Sequence, residues 1–548
     1  MKKNRRLEIM KNKKKLATVL LSGVMACGMA SCGAPPVSND DNTLEIYVLE
    51  AGYGYEWVNV LANDFKTLDW VQQKYPNLNI PEASHDALGD SAKDKISNPT
   101  NSIDLFFGAS LFSLFGKTDQ NGNLFVAQLD DLYDMTVPGE SVTFKNKMID
   151  SFESQIDGHY YSVPWVGGMN GILYNETQFN TLGKEVPVTT DEFIDVLDAA
   201  KDLKDNTQGK YNKGYSVMSC TAVGYWKYML STWWAQYEGL AQYNNFYKGI
   251  DYENTRSKKI FEQQGRLEAL RMLEKIIKPS NGYMYPSATA IPKLQFKTAQ
   301  NSFLTNDGIF HVNGDWFSYE MKSSWEGFTN NGMCNGTFKF LRTPVISSII
   351  NNLPMMSIKD DAQLAKVVRA IDAGTSYDVY IQANNDGVHA DDYARVAEAR
   401  KIVDSLGVNH TAAIPDYASA KGLAKDFLLY MATDRAQEIY IRETKGAASP
   451  FIYNVKEKNS TLYNSLDTLQ QSKFDIFNDT AYPINVLPAP SSFKLVYFGG
   501  LVDFTLAGNM ETRMFTGKEA DIAQTVYDND ITWWTDDRWN DVLTNAGM

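Results

Sequence analysis

The sequence LEIYVLEAGYGYEWVNVLANDF occupies residues 44–65 and contains one complete strand–turn–helix unit. Residues 44–50 alternate between apolar and polar side chains and predict a strand, and two closely spaced glycines then mark a turn. Apolar residues at helical spacing follow from Trp57 to Phe65. Further strands are predicted at Asn79–Ile80 and at residues 103–107. This strand–helix–strand order predicts an α/β fold built on a largely parallel sheet.

The residues that directly follow these strands are candidates for a binding site. In open α/β sheets, ligands sit beyond the carboxyl ends of the strands. Tyr53, Tyr55 and Glu56 follow the first predicted strand, and Ser110 follows the strand at residues 103–107. We therefore expect these four side chains to face a ligand, whereas Trp57 fits the apolar face of the helix and is expected in the core.

Helices are predicted in three further regions. One begins near Thr190, where a threonine cap precedes an apolar face. A second covers residues 267–277, and a long one runs from Ala420 to Ile441. Trp233 and Trp234 are adjacent, so on a helix at most one of them is expected to face inward.

The N-terminus has the layout of an export signal. Residues 2–15 carry eight Lys/Arg and one acid, and an uncharged run then extends from Leu16 to small residues before Cys32. This run is shorter than the roughly 20 residues that a membrane span needs. The cysteine after small residues resembles a bacterial lipobox, in which the thiol is lipidated before cleavage. We expect residues 1–32 to be a lipoprotein signal peptide, Cys32 to be the lipidated residue, and residues 33–43 to be a flexible linker.

Other interpretations of the N-terminus stay open. Cys27 offers a second lipidation site, although Met25 is large for the position two residues before it. Ordinary cleavage and an uncleaved anchor are further alternatives. Met10 lies inside the basic segment and provides an alternative start.

Composition and charge limit the kinds of ligand and partner that the protein could bind. The chain has 548 residues, and without residues 1–32, which hold eight of its 52 Lys/Arg and one of its 66 Asp/Glu, its formal charge is −21. Such acidity argues against nucleic acid or anionic lipid as a partner. Aromatic residues make up 12% of the chain, and flat rings with polar edges suit sugars. Cys220 and Cys334 are expected to be small buried residues rather than a disulfide.

The sequence lacks the common motifs for catalysis and for cofactor binding. The sequence has no Gly-x-Ser-x-Gly elbow, no His-Glu-x-x-His and no phosphate-binding loop. Its five histidines are scattered without ligand spacing, and the loop beginning at Asp119 lacks the glycine of a calcium loop. Gly52 and Gly54 could begin the dinucleotide-binding fingerprint Gly-x-Gly-x-x-Gly, but Trp57 occupies the position of its third glycine. We therefore expect a binding protein without a cofactor, a metal or a catalytic residue.

Three segments resemble extracellular solute-binding protein family 1, which serves ABC importers of sugars and oligosaccharides. Residues 156–175 are similar to the family's crossing segment, with a Gly turn, a Pro-bearing strand and a strand that ends in Tyr-Asn. Residues 303–316 and 424–437 resemble two later family motifs. The resemblance implies a two-lobed α/β fold of the periplasmic-binding-protein-like, class II type, with discontinuous lobes joined by a hinge.

The resemblance also implies where the lobes lie along the chain. The N-terminal lobe is expected to comprise residues 44–165 and 412–455, and the C-terminal lobe residues 166–411 and 456–548. Family members are commonly shorter, and the additional residues of this chain lie around 240–300 and 345–410.

Further site residues follow from the family's motif positions. Trp165 and Asn170 match positions at the hinge that face the cleft. Tyr225 and Trp226 match a place where family members often present aromatic rings that stack on sugars, and Asp315 with Trp316 match another. These six residues join the four that follow the predicted strands.

The function implied by the resemblance is capture of a carbohydrate, most simply an oligosaccharide, for delivery to an ABC permease. The protein would act as a lipid-anchored monomer on the outer face of the cell membrane. Three alternatives remain: a binding protein for a non-sugar solute such as a peptide or polyamine, an exported glycan-active enzyme, and a surface sensor or adhesion protein without a permease.

Overall fold

A computed structural model of the protein describes residues 42–87, 89–153, 155–206, 218–220, 225–284, 296–306, 308–405, 409–479, 482–485, 494–502 and 521–548. The predicted signal peptide, the linker up to residue 41 and Cys32 lie outside the described residues. Cys334 is buried and free, as expected, whereas the side chain of Cys220 lies outside the described part. Within the described ranges, no helix combines the length and the apolar character needed to cross a membrane.

The strands of the described residues form two sheets. They are β1 (Ile46–Leu49), β2 (Ser84–Asp86), β3 (Leu105–Ala109), β4 (Val163–Pro164), β5 (Met169–Asn175), β6 (Met218–Cys220), β7 (Phe310–Gly314), β8 (Phe338–Leu341), β9 (Ile402–Ser405), β10 (His410–Ala413) and β11 (Tyr482–Asn485). The first sheet has the order β2-β1-β3-β10-β4, and the second has the order β11-β9-β5-β7-β6 with β8 paired to β5.

Parallel pairing dominates one half of the first sheet. β1 pairs in parallel with β2 and with β3, whereas β10 runs antiparallel to β3 and β4. In the second sheet, β5 is antiparallel to β7, β8 and β9, and only the outer pairs β11–β9 and β6–β7 are parallel. The predicted α/β class is confirmed, but the prediction of a largely parallel sheet is wrong, because parallel pairing in the first sheet is limited to β2-β1-β3 and antiparallel pairs prevail in the second.

Helices cover the sheets and bury their apolar faces against them. In chain order the α-helices of the described residues are α1 (Glu56–Phe65), α2 (Asp69–Lys74), α3 (Ala92–Ile96), α4 (Asp130–Asp134), α5 (Phe144–Lys147), α6 (Glu176–Phe179), α7 (Thr190–Asn206), α8 (Trp226–Glu238), α9 (Leu240–Lys248), α10 (Gln264–Ile277), α11 (Phe296–Leu304), α12 (Phe317–Glu320), α13 (Lys322–Asn330), α14 (Asp361–Asp372), α15 (Tyr377–Asn384), α16 (Ala390–Lys401), α17 (Lys421–Met431), α18 (Asp434–Glu443), α19 (Val455–Lys458), α20 (Ser460–Ser465), α21 (Thr468–Asn478), α22 (Ile522–Trp533) and α23 (Asp536–Asn545).

The chain passes between the two sheets at three places. It leaves the first sheet after β4 and enters the second at β5, returns between β9 and β10, and passes to the second sheet again between β10 and β11. On the first-sheet side of the first two passages, the backbone N–H of Trp165 donates to the carbonyl of His410, 3.1 Å away. These two crossing segments therefore lie side by side where they meet the first sheet. The lobe boundaries expected from the sequence stay a prediction.

Three expectations about local structure are wrong. Asn79 forms only an isolated bridge with Thr43, and the neighbouring strand is β2, whose polar residues lack an apolar alternation. The helix expected from Ala420 to Ile441 is two helices, because the Thr433 hydroxyl accepts from the N–H of Ala436 and starts a new one.

The third wrong expectation concerns the two adjacent tryptophans. Trp233 and Trp234 are both fully buried, because α8 is enclosed on nearly all sides rather than lying on the surface. Trp57 is buried, as expected, and packs on the core side of α1.

A buried ion pair anchors α22, the penultimate helix of the described residues, to α10. Arg266 is fully buried and pairs with Asp530, which is 1% exposed. Four rings surround the Arg266 guanidinium, with centroids 5.2 to 6.0 Å from its central carbon; they belong to Trp234, Phe246, Phe261 and Tyr527. The ion pair and the rings join α8, α9, α10 and α22 into one packed group.

We expect Asp530→Ala to lower the free energy of unfolding by about 3 to 5 kcal/mol, because the Arg266 charge would remain buried without its carboxylate. Urea denaturation measures the change. Glu253→Ala is the control, since it breaks an exposed pair with Lys259 and should cost less than about 1 kcal/mol. Equal, small effects of both substitutions would contradict this account of the cluster.

Candidate functional site

A hydrogen bond between two buried side chains joins the two sheets. Tyr53 follows β1, Asp315 follows β7, and each is 1% exposed. The Tyr53 hydroxyl donates to Asp315 Oδ1 at 2.7 Å. Both residues lie beyond the carboxyl ends of their strands, which is where α/β sheets place ligands. The structure brings these two predicted site residues together, and the pair defines the candidate site.

A lysine lies behind the Asp315 carboxylate. Asp315 Oδ2 accepts from the backbone N–H of Ala448 at 3.1 Å and lies 3.7 Å from the ammonium of Lys473. The Lys473 ammonium also donates to the carbonyl of Gly446. Burial raises the pKa of Asp315 and lowers the pKa of Lys473 to about 8, while their mutual attraction opposes both changes. Asp315 and Lys473 thus form a buried acid–base pair behind Tyr53.

Two tryptophan rings contact the ring of Tyr53. The Trp165 and Trp316 rings meet the Tyr53 ring edge to face, with centroids 5.9 and 6.3 Å away. Trp165 also stacks on Trp57 at 5.5 Å and donates its Nε1–H to the carbonyl of Gly108. Trp165 is therefore held rigidly by the first sheet, whereas Trp316 belongs to the second.

A second tyrosine–carboxylate pair joins the same two sides, this time with the tyrosine on the second-sheet side. Tyr319, in α12 of the second-sheet side, donates to Glu56 Oε2 in α1 at 2.5 Å. The Lys322 ammonium lies 3.7 Å from the centre of the Tyr319 ring. Partial burial of Glu56 works against ionisation, but the Tyr319 hydrogen bond and the charge of Lys322 outweigh it and lower the pKa of Glu56.

Close approach of the two sides depends on glycine. A Cβ atom built on Gly168 would overlap the Asp315 carboxylate, and one built on Gly52 would come 3.0 Å from the Trp316 ring. Gly52 also has a φ of +85°, which side chains other than glycine rarely adopt. The lack of side chains at these positions lets Asp315 and Trp316 reach the first sheet.

Asn170 lies at the start of β5, next to Asp404 on β9. Its Nδ2–H donates to Asp404 Oδ1 at 2.8 Å, and both side chains are buried. Burial raises the pKa of Asp404 well above its usual value, although the bond from Asn170 opposes the rise. Asn170 is thus held by Asp404 just after the crossing from β4 to β5, and its role at the hinge stays a prediction.

Tyr225 and Trp226 take different positions. Tyr225 is half-buried, and its ring centroid lies 5.7 Å from that of Trp316. Trp226, the first residue of α8, is fully buried. Tyr225 joins the candidate site, and a ligand contact by Trp226 stays a prediction.

Tyr55 and Ser110 lie at the outer edge of the site. The Tyr55 ring stacks on His85 at 3.6 Å, and His85 Nδ1 lies 2.8 Å from Glu50 Oε1. Ser110 is exposed, has a φ of +56° and donates its hydroxyl to Asn409 Oδ1 at 2.9 Å. A non-glycine residue in the left-handed region is a feature of functional loops.

Sequence reasoning missed several residues that the structure brings to this place. Tyr319, Lys473, Asp404 and His85 all contact predicted site residues. His85 could have been predicted from the sequence, because it lies on β2 next to β1 and ligands bind beyond the carboxyl ends of such strands. The other three had no local signal, since their partners lie far away in the chain.

The chemistry of the site is hydrogen bonding and stacking. Hydroxyl, carboxylate and amide groups lie close to flat aromatic rings. A polar ligand with apolar faces needs both kinds of group in its binding site. Across the described ranges, no three His, Cys, Asp or Glu side chains are grouped as metal ligands.

We expect Gly168→Ala to displace Asp315 and break its hydrogen bond with Tyr53, lowering the free energy of unfolding by about 2 kcal/mol. Gly171→Ala, on the following strand, is the matched control because its nearest neighbour would be 3.8 Å away. Urea denaturation and small-angle scattering compare the two variants. If both behave like the wild type, close packing at Gly168 is not what holds the two sides together.

Comparisons with known proteins address the fold. No family model matches the chain. The "Multiple sugar-binding protein" of Streptococcus mutans serotype c is 35% identical over 77 residues, which cover 13% of this chain and only 18% of that relative. The matched part is therefore less than a fifth of the relative's length.

Solved structures match over nearly the whole chain. The sugar-binding protein MalE from Xanthomonas citri has a TM-score of 0.54 at 13% identity, covering 91% of this chain and 98% of its own. A chitin oligosaccharide binding protein has a TM-score of 0.52 at 14% identity, covering 89% and 99%. The fold that the resemblance implied is thus confirmed: the chain has the two-lobed α/β fold of the maltose-binding-like proteins.

Proposed function

We propose that the protein captures a carbohydrate, an oligosaccharide, between its two lobes and delivers it to an ABC permease. The observation that carries this proposal is the Tyr53–Asp315 pair, which is flanked by Trp165 and Trp316 and drawn from both sheets. Binding, rather than a covalent reaction, is the function we assign to this site.

The site groups suit a sugar for physical reasons. The C–H faces of a pyranose ring pack on indole rings, and its hydroxyls need both donors and acceptors around their edges. Trp165 and Trp316 supply the rings, and Tyr53, Asp315 and Asn170 supply the polar groups. The names of the similar proteins support a sugar, and the chitin oligosaccharide binding protein supports more than one sugar unit.

Ligand entry requires the two sides to separate. Tyr53 is hydrogen-bonded to Asp315 and Tyr319 to Glu56, so the groups that would hold sugar hydroxyls hold each other. Hinge opening at the crossing segments would release them, and closure around a sugar would replace each contact with one to a hydroxyl. Binding would then exchange hydrogen bonds rather than create them anew.

The proposal includes an anchored location. A signal peptide that ends at Cys32, followed by a linker of about eleven residues, would keep the receptor beside a membrane permease. The acidic composition fits a soluble domain outside the cell and argues against contact with anionic lipid beyond the anchor.

We expect Trp316→Ala to weaken carbohydrate binding by about tenfold or more, equivalent to about 1.4 kcal/mol, because a stacking surface is lost. A thermal-shift screen of the wild type with maltose, maltotetraose, chitobiose and chitotetraose identifies the glycan that binds. Calorimetry with that glycan then measures the affinity of each variant. Trp533→Ala is the matched control, since Trp533 is 47% exposed and lies under Arg538. Unchanged affinity in a folded Trp316→Ala protein would remove this ring from the site.

The same thermal-shift screen distinguishes the alternatives. Stabilisation by spermidine or by a peptide library, and by no glycan, would favour the non-sugar receptor, whose cationic ligand would use the carboxylates and rings. Turnover of any of the four glycans would favour an exported enzyme.

We expect Cys32→Ala to move the protein from the membrane fraction to the medium or the soluble fraction, because the lipidated thiol is lost. Carbohydrate affinity should be unchanged, since residues 33–43 are expected to be only a tether. Fractionation followed by calorimetry measures both. Membrane retention of the variant would contradict lipidation at this residue.

A further inference from the structure

Asp404 is a buried acid at one end of the hinge. It is the third residue of β9, directly opposite Asn170 in the pairing of β9 with β5. Asn170 lies two residues after the crossing glycines, and Asp404 lies just before the return crossing to β10. The 2.8 Å hydrogen bond between them therefore ties the two crossing segments together at the second sheet.

The fold alone does not account for an acid at this position. Asp404 is fully buried, and its Oδ2 has no hydrogen-bond partner among the described residues. A buried carboxyl group with an empty acceptor costs stability, and a well-packed apolar residue in its place is often neutral or stabilising. The raised pKa of Asp404 reflects the same desolvation. A role outside stability is the simplest physical reason for its presence.

The bond to Asp404 fixes which end of the Asn170 carboxamide faces the site. Because Nδ2 is turned toward Asp404, the carbonyl oxygen Oδ1 points the other way, over Gly314. A Cβ built on Gly314 would lie 2.5 Å from Asn170 Oδ1 and would overlap the Trp316 ring. The amide oxygen and the indole ring thus share the space that the missing side chain of Gly314 leaves.

We propose that Asp404 is a positioning residue, which holds the Asn170 carboxamide so that its oxygen accepts a hydrogen bond from a ligand hydroxyl beside Trp316. This inference rests on the proposed function and deepens it. An acceptor fixed next to a ring favours a ligand that offers a hydroxyl donor at the edge of an apolar face, as a pyranose does. Asp404 itself acts only through Asn170.

Two substitutions separate this role from a structural one. Asp404→Asn keeps a carbonyl oxygen that accepts from Asn170, whereas Asp404→Leu removes the acceptor and fills the space. We expect Asp404→Asn to bind the best glycan of the maltose, maltotetraose, chitobiose and chitotetraose panel within about threefold of the wild type. Asp404→Leu should lose about tenfold or more. Asp404→Ala gives the same comparison without added bulk if the leucine variant does not fold.

A double-mutant cycle assigns the loss to Asn170. Asn170→Ala should weaken binding about as much as Asp404→Leu, and the double variant should lose no more than either single one, because both remove the same contact. Additive losses, or equal affinities of Asp404→Asn and Asp404→Leu, would overturn the proposal.

A ligand-independent measurement keeps this test separate from that of the proposed function. The side-chain NH₂ resonances of Asn170, assigned by their loss in Asn170→Ala, should keep their positions in Asp404→Asn and move in Asp404→Leu. If the wild type bound none of the four glycans, the proposed function would fail, and unmoved resonances in Asp404→Leu would overturn the positioning role by themselves.

Discussion

The buried hydrogen bond from Tyr53 to Asp315 is the constraint around which the site is built. It joins residues 262 positions apart and belongs to neither sheet alone. Asp315 can be buried there only because Tyr53, the Ala448 N–H and Lys473 compensate for its desolvation. A bond between an uncharged hydroxyl and an acid is also one that a sugar hydroxyl can replace at little cost.

The two tryptophans of the site are held from opposite sides of this bond. Trp165 is fixed on the first sheet by Trp57 and by the Gly108 carbonyl. Trp316 reaches the same place from the second sheet, over Gly52. The site is therefore complete only when the two sides are together, which links recognition of a ligand to the relative position of the sheets.

Local sequence patterns predicted the parts of this arrangement that depend on local physics. The first strand, the turn and α1 followed from hydrophobic periodicity, and the strand ends pointed to Tyr53 and Glu56. The motifs of residues 156–175 and 303–316 added Trp165, Asn170, Asp315 and Trp316. By contrast, Lys473 and Asp404 could not be predicted as site residues, because their site partners, Asp315 and Asn170, lie more than 150 residues away in the chain. The break before Asp434 was missed because a Thr-Asp cap inside an apolar periodic stretch is easily taken for continuous helix.

A crystal structure with the glycan that most raises the thermal midpoint tests the central claim directly. The account predicts sugar between Trp165 and Trp316, with hydroxyls in place of the contact between Tyr53 and Asp315. Sugar bound elsewhere, for instance in the cavity of about 560 Å³ beside Tyr174 with the Tyr53–Asp315 bond intact, would contradict it.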